Sequence, residues 1–273
     1  IESSYVSPEE LSRQVVPLGT GTIVADPHEI VNVCGIRGLD YMMNAAEQAT
    51  LDIKFMLPSC VPATPFDNSG AVLHAHHMEE PITRDNVLGL GEFMNYVGVI
   101  NADDAVLDKL MIAKKNGKLI DGHVPATTGK ALNAYCAARI LADHECETVE
   151  EMQERIDKGM YVLLRQGSAC HNLRELLKGV TPENSRRCLL CSDDRQPKTL
   201  IEDGHIDNHL KICVEEGIDP ITAIQMATIN AAECFGLADN GALAPGYDAD
   251  VVLVKDLVNF KAEMVILDGE VVA

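Results

Sequence analysis

Glu92, His123, His144 and Asp193 lie far apart in the chain, yet each stands at or near the end of a short apolar run: VLGLGEF, LIDGHV, RILADH and RCLLCSD. Neutral imidazole and carboxylate are the donors that borderline divalent transition metals accept, and four of them at one place could hold one ion or share two. A metal so held would lower the pKa of a bound water and polarise the atom that the water attacks. One such side chain at a strand tip is more often a cap or a solvated loop residue. Four at the same pole favour a common site.

The elements that must position these groups alternate along the chain. Short β-branched runs predict strands at 20–26, 53–60, 87–93, 119–124, 139–144, 160–167 and 187–193, and helical periodicity predicts helices at 8–17, 36–49, 103–116, 129–138, 148–158, 171–178, 206–216 and 219–235. Near-continuous apolar strands separated by helices indicate a parallel sheet covered on both faces. Nearly every tip carries a polar group: Asp26 with His28 and Glu29, Ser59 with Cys60, Glu92, His123, His144, Gln166 with Ser168, and Asp193 with Asp194. An open sheet gathers its ligand at one switch point, whereas a barrel brings all strand ends to one mouth. The expected fold is therefore α/β, a (β/α)8 TIM-like barrel over 1–236, with the first strand expected before Ile1. From about 237 the pattern changes to a small β appendage, with short strands at 250–255 and 263–267 and a hairpin turn at Asp268-Gly269.

Size and composition narrow the function classes. A chain of 273 residues with 47% hydrophobic and 23% charged residues can bury a substantial core, and the absence of Trp makes that core aliphatic. A net charge of −20 disfavours nucleic acid and anionic membranes, because phosphates would be repelled along most of the surface. No apolar stretch approaches the length of a membrane span. Nine cysteines, an odd number with several inside apolar runs, read as reduced and mostly buried thiols of a cytoplasmic protein.

The segments LGTGTIVADPHEIVNVCG, GLGEFMNYVGVI, IDGHVPATTGKALNAYCAA, ADHECETVEEMQERIDKGMYVLLRQGS and CSDDRQPKTLIEDGHID resemble, in order and spacing, the adenine deaminase family of the amidohydrolase superfamily. ATINAAECFGLADNGALAPGYDADVVLV resembles the superfamily's more general ending, where the last barrel helix returns to a small β-sandwich. The resemblance implies a metal-dependent barrel that hydrolyses adenine to hypoxanthine and ammonia in purine salvage, with two divalent ions, manganese or iron. Zinc suits the same donors. It makes Glu92 the carboxylate that bridges the ions, and His123 and His144 the imidazole ligands. Asp193 becomes the aspartate that touches a metal and carries a proton from the attacking water to the leaving amine. Asp194 is its neighbour and the alternative for that role. His28, Glu29, Ser168, His205 and Asp207 are the expected contacts of the purine, and 237–273 becomes part of a β-sandwich. The family also carries a His-x-His pair on its first strand, expected just before Ile1. His74, His76 and His77 in AVLHAHHMEEPIT read as surface or lid histidines and not as that pair. The missing pair leaves a second reading, a catalytically incomplete barrel, and a third is another amidohydrolase acting on a different amide or amidine. Exposed aliphatic strands would favour a homo-oligomer.

Overall fold

The computed structural model describes all 273 residues. Seven strands run parallel in chain order: β1 Thr22–Ala25, β2 Asp52–Leu57, β3 Val87–Phe93, β4 Leu119–Gly122, β5 Ala142–Asp143, β6 Tyr161–Arg165 and β7 Cys188–Cys191. β1 to β4 pair in one run and β5 to β7 in another. The two runs join through Leu141, whose N–H donates to Ile120 O at 2.8 Å and whose carbonyl accepts from Tyr161 N at 2.9 Å.

What curves these strands is the apolar filling of their inner face. Val24, Met56, Leu88, Leu119, Leu141, Leu163 and Leu189, one from each strand or its immediate approach, share a single cluster with Cys234 and Phe235. A flat sheet could not bring its first and last strands to the same side chains, so the arrangement is a partial (β/α) barrel with a packed interior. The outer faces bury larger aliphatic layers under the helices. β1 and β7 do not pair with each other. The segment after β7 spans that edge instead: Gln196 Nε2 donates to Ser3 O at 3.3 Å, His205 Nδ1 lies 2.9 Å from Thr20 Oγ1, and Leu200 packs in the same core as Leu11 and Val15.

The helices begin where the side chains allow. Asp103 Oδ1 accepts from Val106 N at 3.1 Å at the head of Asp104–Lys115, and Thr148 with Glu151 forms a reciprocal cap on Val149–Asp157. The helix expected at 219–235 is two, Pro220–Ala227 and Ile229–Phe235, broken at Thr228. Its hydroxyl donates to Ile224 O at 2.7 Å, competing with the helical ladder. The strand expected at 139–144 shrinks to Ala142–Asp143, because Arg139 closes the preceding helix with φ 66°. Helices at His28–Cys34, Tyr96–Ile100 and Pro197–Asp203 were not expected from periodicity, being too short to show it.

Residues 251–271 form an antiparallel sheet of β8 Val251–Val254, β9 Ala262–Leu267 and β10 Glu270–Val271, with β9 in the middle. Asp268 and Gly269 turn the hairpin with φ 51° and 80°, the two positive values of a type I′ turn. Val265 and Leu267 enter the main core, and Leu267 packs so closely on Gly21 that a Cβ there would lie 2.6 Å from its side chain. No helix is long and apolar enough to cross a membrane.

Candidate metal centre

Each strand of the barrel ends at the same pole, and there the dispersed acids and imidazoles meet. Glu92, near the end of β3, is the hub. Its Oε2 lies 3.1 Å from His123 Nδ1 and 3.1 Å from His144 Nε2, while its Oε1 lies 3.1 Å from His28 Nδ1. The backbone around it is tied down: Ser59 Oγ donates to Glu92 O at 2.7 Å. The buried Tyr135 hydroxyl donates to Phe93 O at 3.0 Å and accepts from His123 N at 2.9 Å, locking the tips of β3 and β4 together. His144 follows β5 directly and faces His123 at a ring separation of 5.3 Å.

Two more carboxylates complete the mouth. Glu145 Oε1 lies 3.4 Å from His144 Nε2 and 3.7 Å from His123 Nδ1. Asp193, two residues beyond β7, places Oδ2 2.6 Å from Arg165 Nη1, and that guanidinium also clasps Glu145. On the other flank Asp26 lies 3.7 Å from His28 and presses on Gly91, where a Cβ would meet its carboxylate at 2.0 Å. The donor atoms of Glu92, His123 and His144 lie within 4.8 Å of one another, as do those of Asp26, His28 and Glu92, and those of His144, Glu145 and Asp193.

The electrostatics are those of a site short of positive charge. Burial opposes ionisation of Glu92, but the imidazoles of His123 and His144 outweigh it and hold the carboxyl below its usual range. Burial likewise disfavours charge on His144 and His28, yet Glu92 beside the first and Asp26 beside the second push both up to about 10. Desolvation raises Asp26, and it raises Glu29 to about 7 against the pull of His28. Both buried oxygens of Asp26 lack a hydrogen-bond donor. A buried carboxylate without donors, beside acids that hold neighbouring imidazoles protonated, fits a divalent cation by donor type and by charge.

The structure brings Glu92, His123, His144, Asp193, His28 and Glu29 together at this pole, while the other expected residues make contacts of their own. Asp194 is exposed, and its carbonyl accepts from Ser168 N at 2.9 Å. The Ser168 hydroxyl accepts from Gln196 N at 2.7 Å and pairs with Thr199 Oγ1 at 2.6 Å, a latch between loops. His205 is buried against Thr20, and Asp207 accepts from His205 N at 2.7 Å as a turn cap. His74, His76 and His77 form an exposed stack by themselves. Sequence reasoning placed Asp26 at a strand tip without assigning it a role, and it missed Glu145. The only signal for Glu145 is adjacency to His144. Strand alternation would send the two to opposite faces, but β5 ends at Asp143 and no longer dictates the direction.

The amidohydrolase family model matches residues 2–272. The chain is 68% identical over 273 residues to an adenine deaminase 2 of Desulfotalea psychrophila, covering 100% of this chain and 47% of that one. It is 57% identical to an adenine deaminase of Ligilactobacillus salivarius, over 99% of this chain and 47% of that one. It thus spans about half the length of the curated relatives it matches. Among solved structures it resembles N-acetyl-D-glucosamine-6-phosphate deacetylase from Mycobacterium smegmatis, with TM-score 0.63 and 14% identity over 92% of this chain and 74% of that one. It also resembles an atrazine chlorohydrolase from Arthrobacter aurescens complexed with zinc, with TM-score 0.59 and 14% identity over 97% and 72%. A partial barrel whose strand ends gather imidazoles around one glutamate, and a family match over almost every residue, lead to one conclusion: the chain belongs to the amidohydrolase family.

Proposed function

We propose that the protein hydrolyses adenine to hypoxanthine and ammonia at a divalent metal centre held by Glu92, His123 and His144, with Asp193 as its proton carrier. The single observation that carries this reading is the meeting of both imidazoles on one oxygen of Glu92, each at 3.1 Å. The adenine deaminase names of the relatives supply the substrate. When bound, manganese, iron or zinc supplies an acidified water and Lewis-acid polarisation. Glu92 would be the carboxylate shared between two ions, a reading supported by its other oxygen lying 3.1 Å from His28 Nδ1. The chain's own residues move the protons. Asp193 takes one from the water as its oxygen bonds to C6 of the purine, and returns it to the amine as the C–N bond breaks and ammonia leaves. Glu29, raised to about 7, is suited to give the ring nitrogen its proton near neutral pH, and it recovers a proton from the C6 hydroxyl as the carbonyl of hypoxanthine forms.

In this reading 1–236 is the hydrolase barrel and 237–273 part of a small β-sandwich, supported by the half-exposed apolar Val252, Leu253 and Met264 on β8 and β9. The same surface favours a homo-oligomer. The net charge of −20 disfavours nucleic acid and anionic membranes as partners, the free cysteines support a cytoplasmic enzyme, and the adenine deaminase relatives support a place in purine salvage. A second reading, a barrel that holds one ion and does not turn over, is supported by the meeting of Glu92, His123 and His144 as a single three-donor group. Metal-loaded protein should release ammonia from adenine but not from guanine or cytosine, and Glu92→Ala and Asp193→Ala should each abolish release. Turnover retained in both variants rejects the site assignment. One bound ion per chain with no turnover selects the second reading.

A further inference from the structure

Arg165 ends β6 with its guanidinium between two carboxylates of unequal standing. Nη1 lies 2.6 Å from Asp193 Oδ2, Nη1 and Nη2 both engage Glu145, and Nε and Nη2 lie 3.3 Å from Asn172 Oδ1. The side chain is buried, so this fork is held in one geometry. Asp193 is constrained from the other side as well. Its backbone has φ 54°, a left-handed conformation uncommon outside glycine, and its Oδ1 accepts from Asp194 N at 2.8 Å.

Glu145 has both the chemistry and the position of a metal ligand. Its carboxylate lies within 4.8 Å of the donor atoms of His144 and Asp193, and 3.4 Å from His144 Nε2. What stands against its joining the centre is the two-pronged grip of Arg165. A freed carboxylate would add a third anionic donor and take a position that water needs.

We propose that Arg165 is a positioning residue of the metal centre: its guanidinium withholds Glu145 from the ion and fixes the orientation from which Asp193 exchanges a proton with water. The inference rests on the reading of Glu92, His123 and His144 as that centre. It makes an unusual demand on variants. If Arg165 were merely structural, its loss would weaken metal binding and turnover together. As a positioning residue, its loss strengthens metal binding while turnover falls.

The test is a titration of apo-protein with Mn2+, followed by the electron paramagnetic resonance of the free ion. Arg165→Met should bind Mn2+ about tenfold more tightly than wild type, and Arg165→Met with Glu145→Gln should return to within about threefold of it. Arg165→Lys should fall between, because one ammonium cannot grip both carboxylates. Unchanged or weaker binding by a folded Arg165→Met overturns the proposal. If circular dichroism shows that this variant does not fold, Glu145→Gln alone decides: affinity within about threefold of wild type supports a withheld carboxylate, and a loss beyond about tenfold makes Glu145 a ligand and overturns it. Wild-type protein that takes up no Mn2+ overturns the metal-centre reading itself, and this inference with it.

Discussion

Two arginines, ten residues apart in the chain, grip carboxylates on opposite sides of the same barrel wall. Behind the wall, Arg155 Nε lies 2.8 Å from Asp143 Oδ2 with both side chains wholly buried. The remaining groups there are spent on backbone and one thiol: Arg155 Nη2 donates to Val124 O at 2.7 Å, Asp143 Oδ1 accepts from Val124 N at 3.0 Å and Glu145 N at 3.2 Å, and Asp143 Oδ2 accepts from Cys146 Sγ at 3.6 Å. At the mouth, Arg165 holds Glu145 and Asp193, whose side chains keep 16% and 29% of their exposure. The first pair fastens the loops that follow β4 and β5, and so fixes where His123 and His144 begin. It has no acceptor left for chemistry. The second leaves its carboxylates partly open to water. Histidines repeat the contrast. Desolvation lowers His205 and His209 to about 3 and about 4, whereas carboxylate neighbours raise His28 and His144 to about 10.

The sharpest way to break this comparison is to remove the guanidinium from the closed pair. Arg155→Met leaves Asp143 buried and uncompensated and should cost about 3–5 kcal/mol, read as a lower urea midpoint at unchanged m. Stability within experimental error of wild type would mean that the pair behind the wall is not structural. The neutral histidines come next. Between about pH 6.5 and pH 4 the unfolded chain takes protons that folded His205 and His209 refuse, so stability is fully present above that range and is lost as pH falls. Each should contribute at most about 1.4 kcal/mol per pH unit, and His205→Asn should flatten the slope by its share. An unaltered slope would show that another group carries it. The smallest expected effect is that of Arg165→Met on stability, about 1–2 kcal/mol, because its carboxylates are partly solvated. A loss as large as that of Arg155→Met would erase the distinction between the two pairs.

Much of the scaffold was legible because its signals are local. Apolar β-branched runs announced all seven parallel strands, Asp-Gly announced the hairpin before β10, and helical periodicity located the helices Asp104–Lys115 and Val149–Asp157. The failures were local too. A helical end ran into the expected strand at 139–144, and Thr228 divided one expected helix into two. At the centre, residue type and tip position singled out Glu92, His123, His144 and Asp193. Ser168, His205 and Asp207 shared those attributes, and the structure spends them on a latch, a buried contact with Thr20 and a turn cap.

By itself, the sequence determined which side chains stand at strand ends, because alternation and turn chemistry act over a few residues. It also determined the surplus of negative charge and the aliphatic core. Tertiary structure alone decided which tips share a mouth, that Glu145 stands among them, and which carboxylate each arginine grips. Those outcomes depend on the curvature of seven strands around one apolar filling and on partners 12 to 28 positions away. Direction and burial at that range are summed over the whole fold, and no window of neighbouring residues contains them.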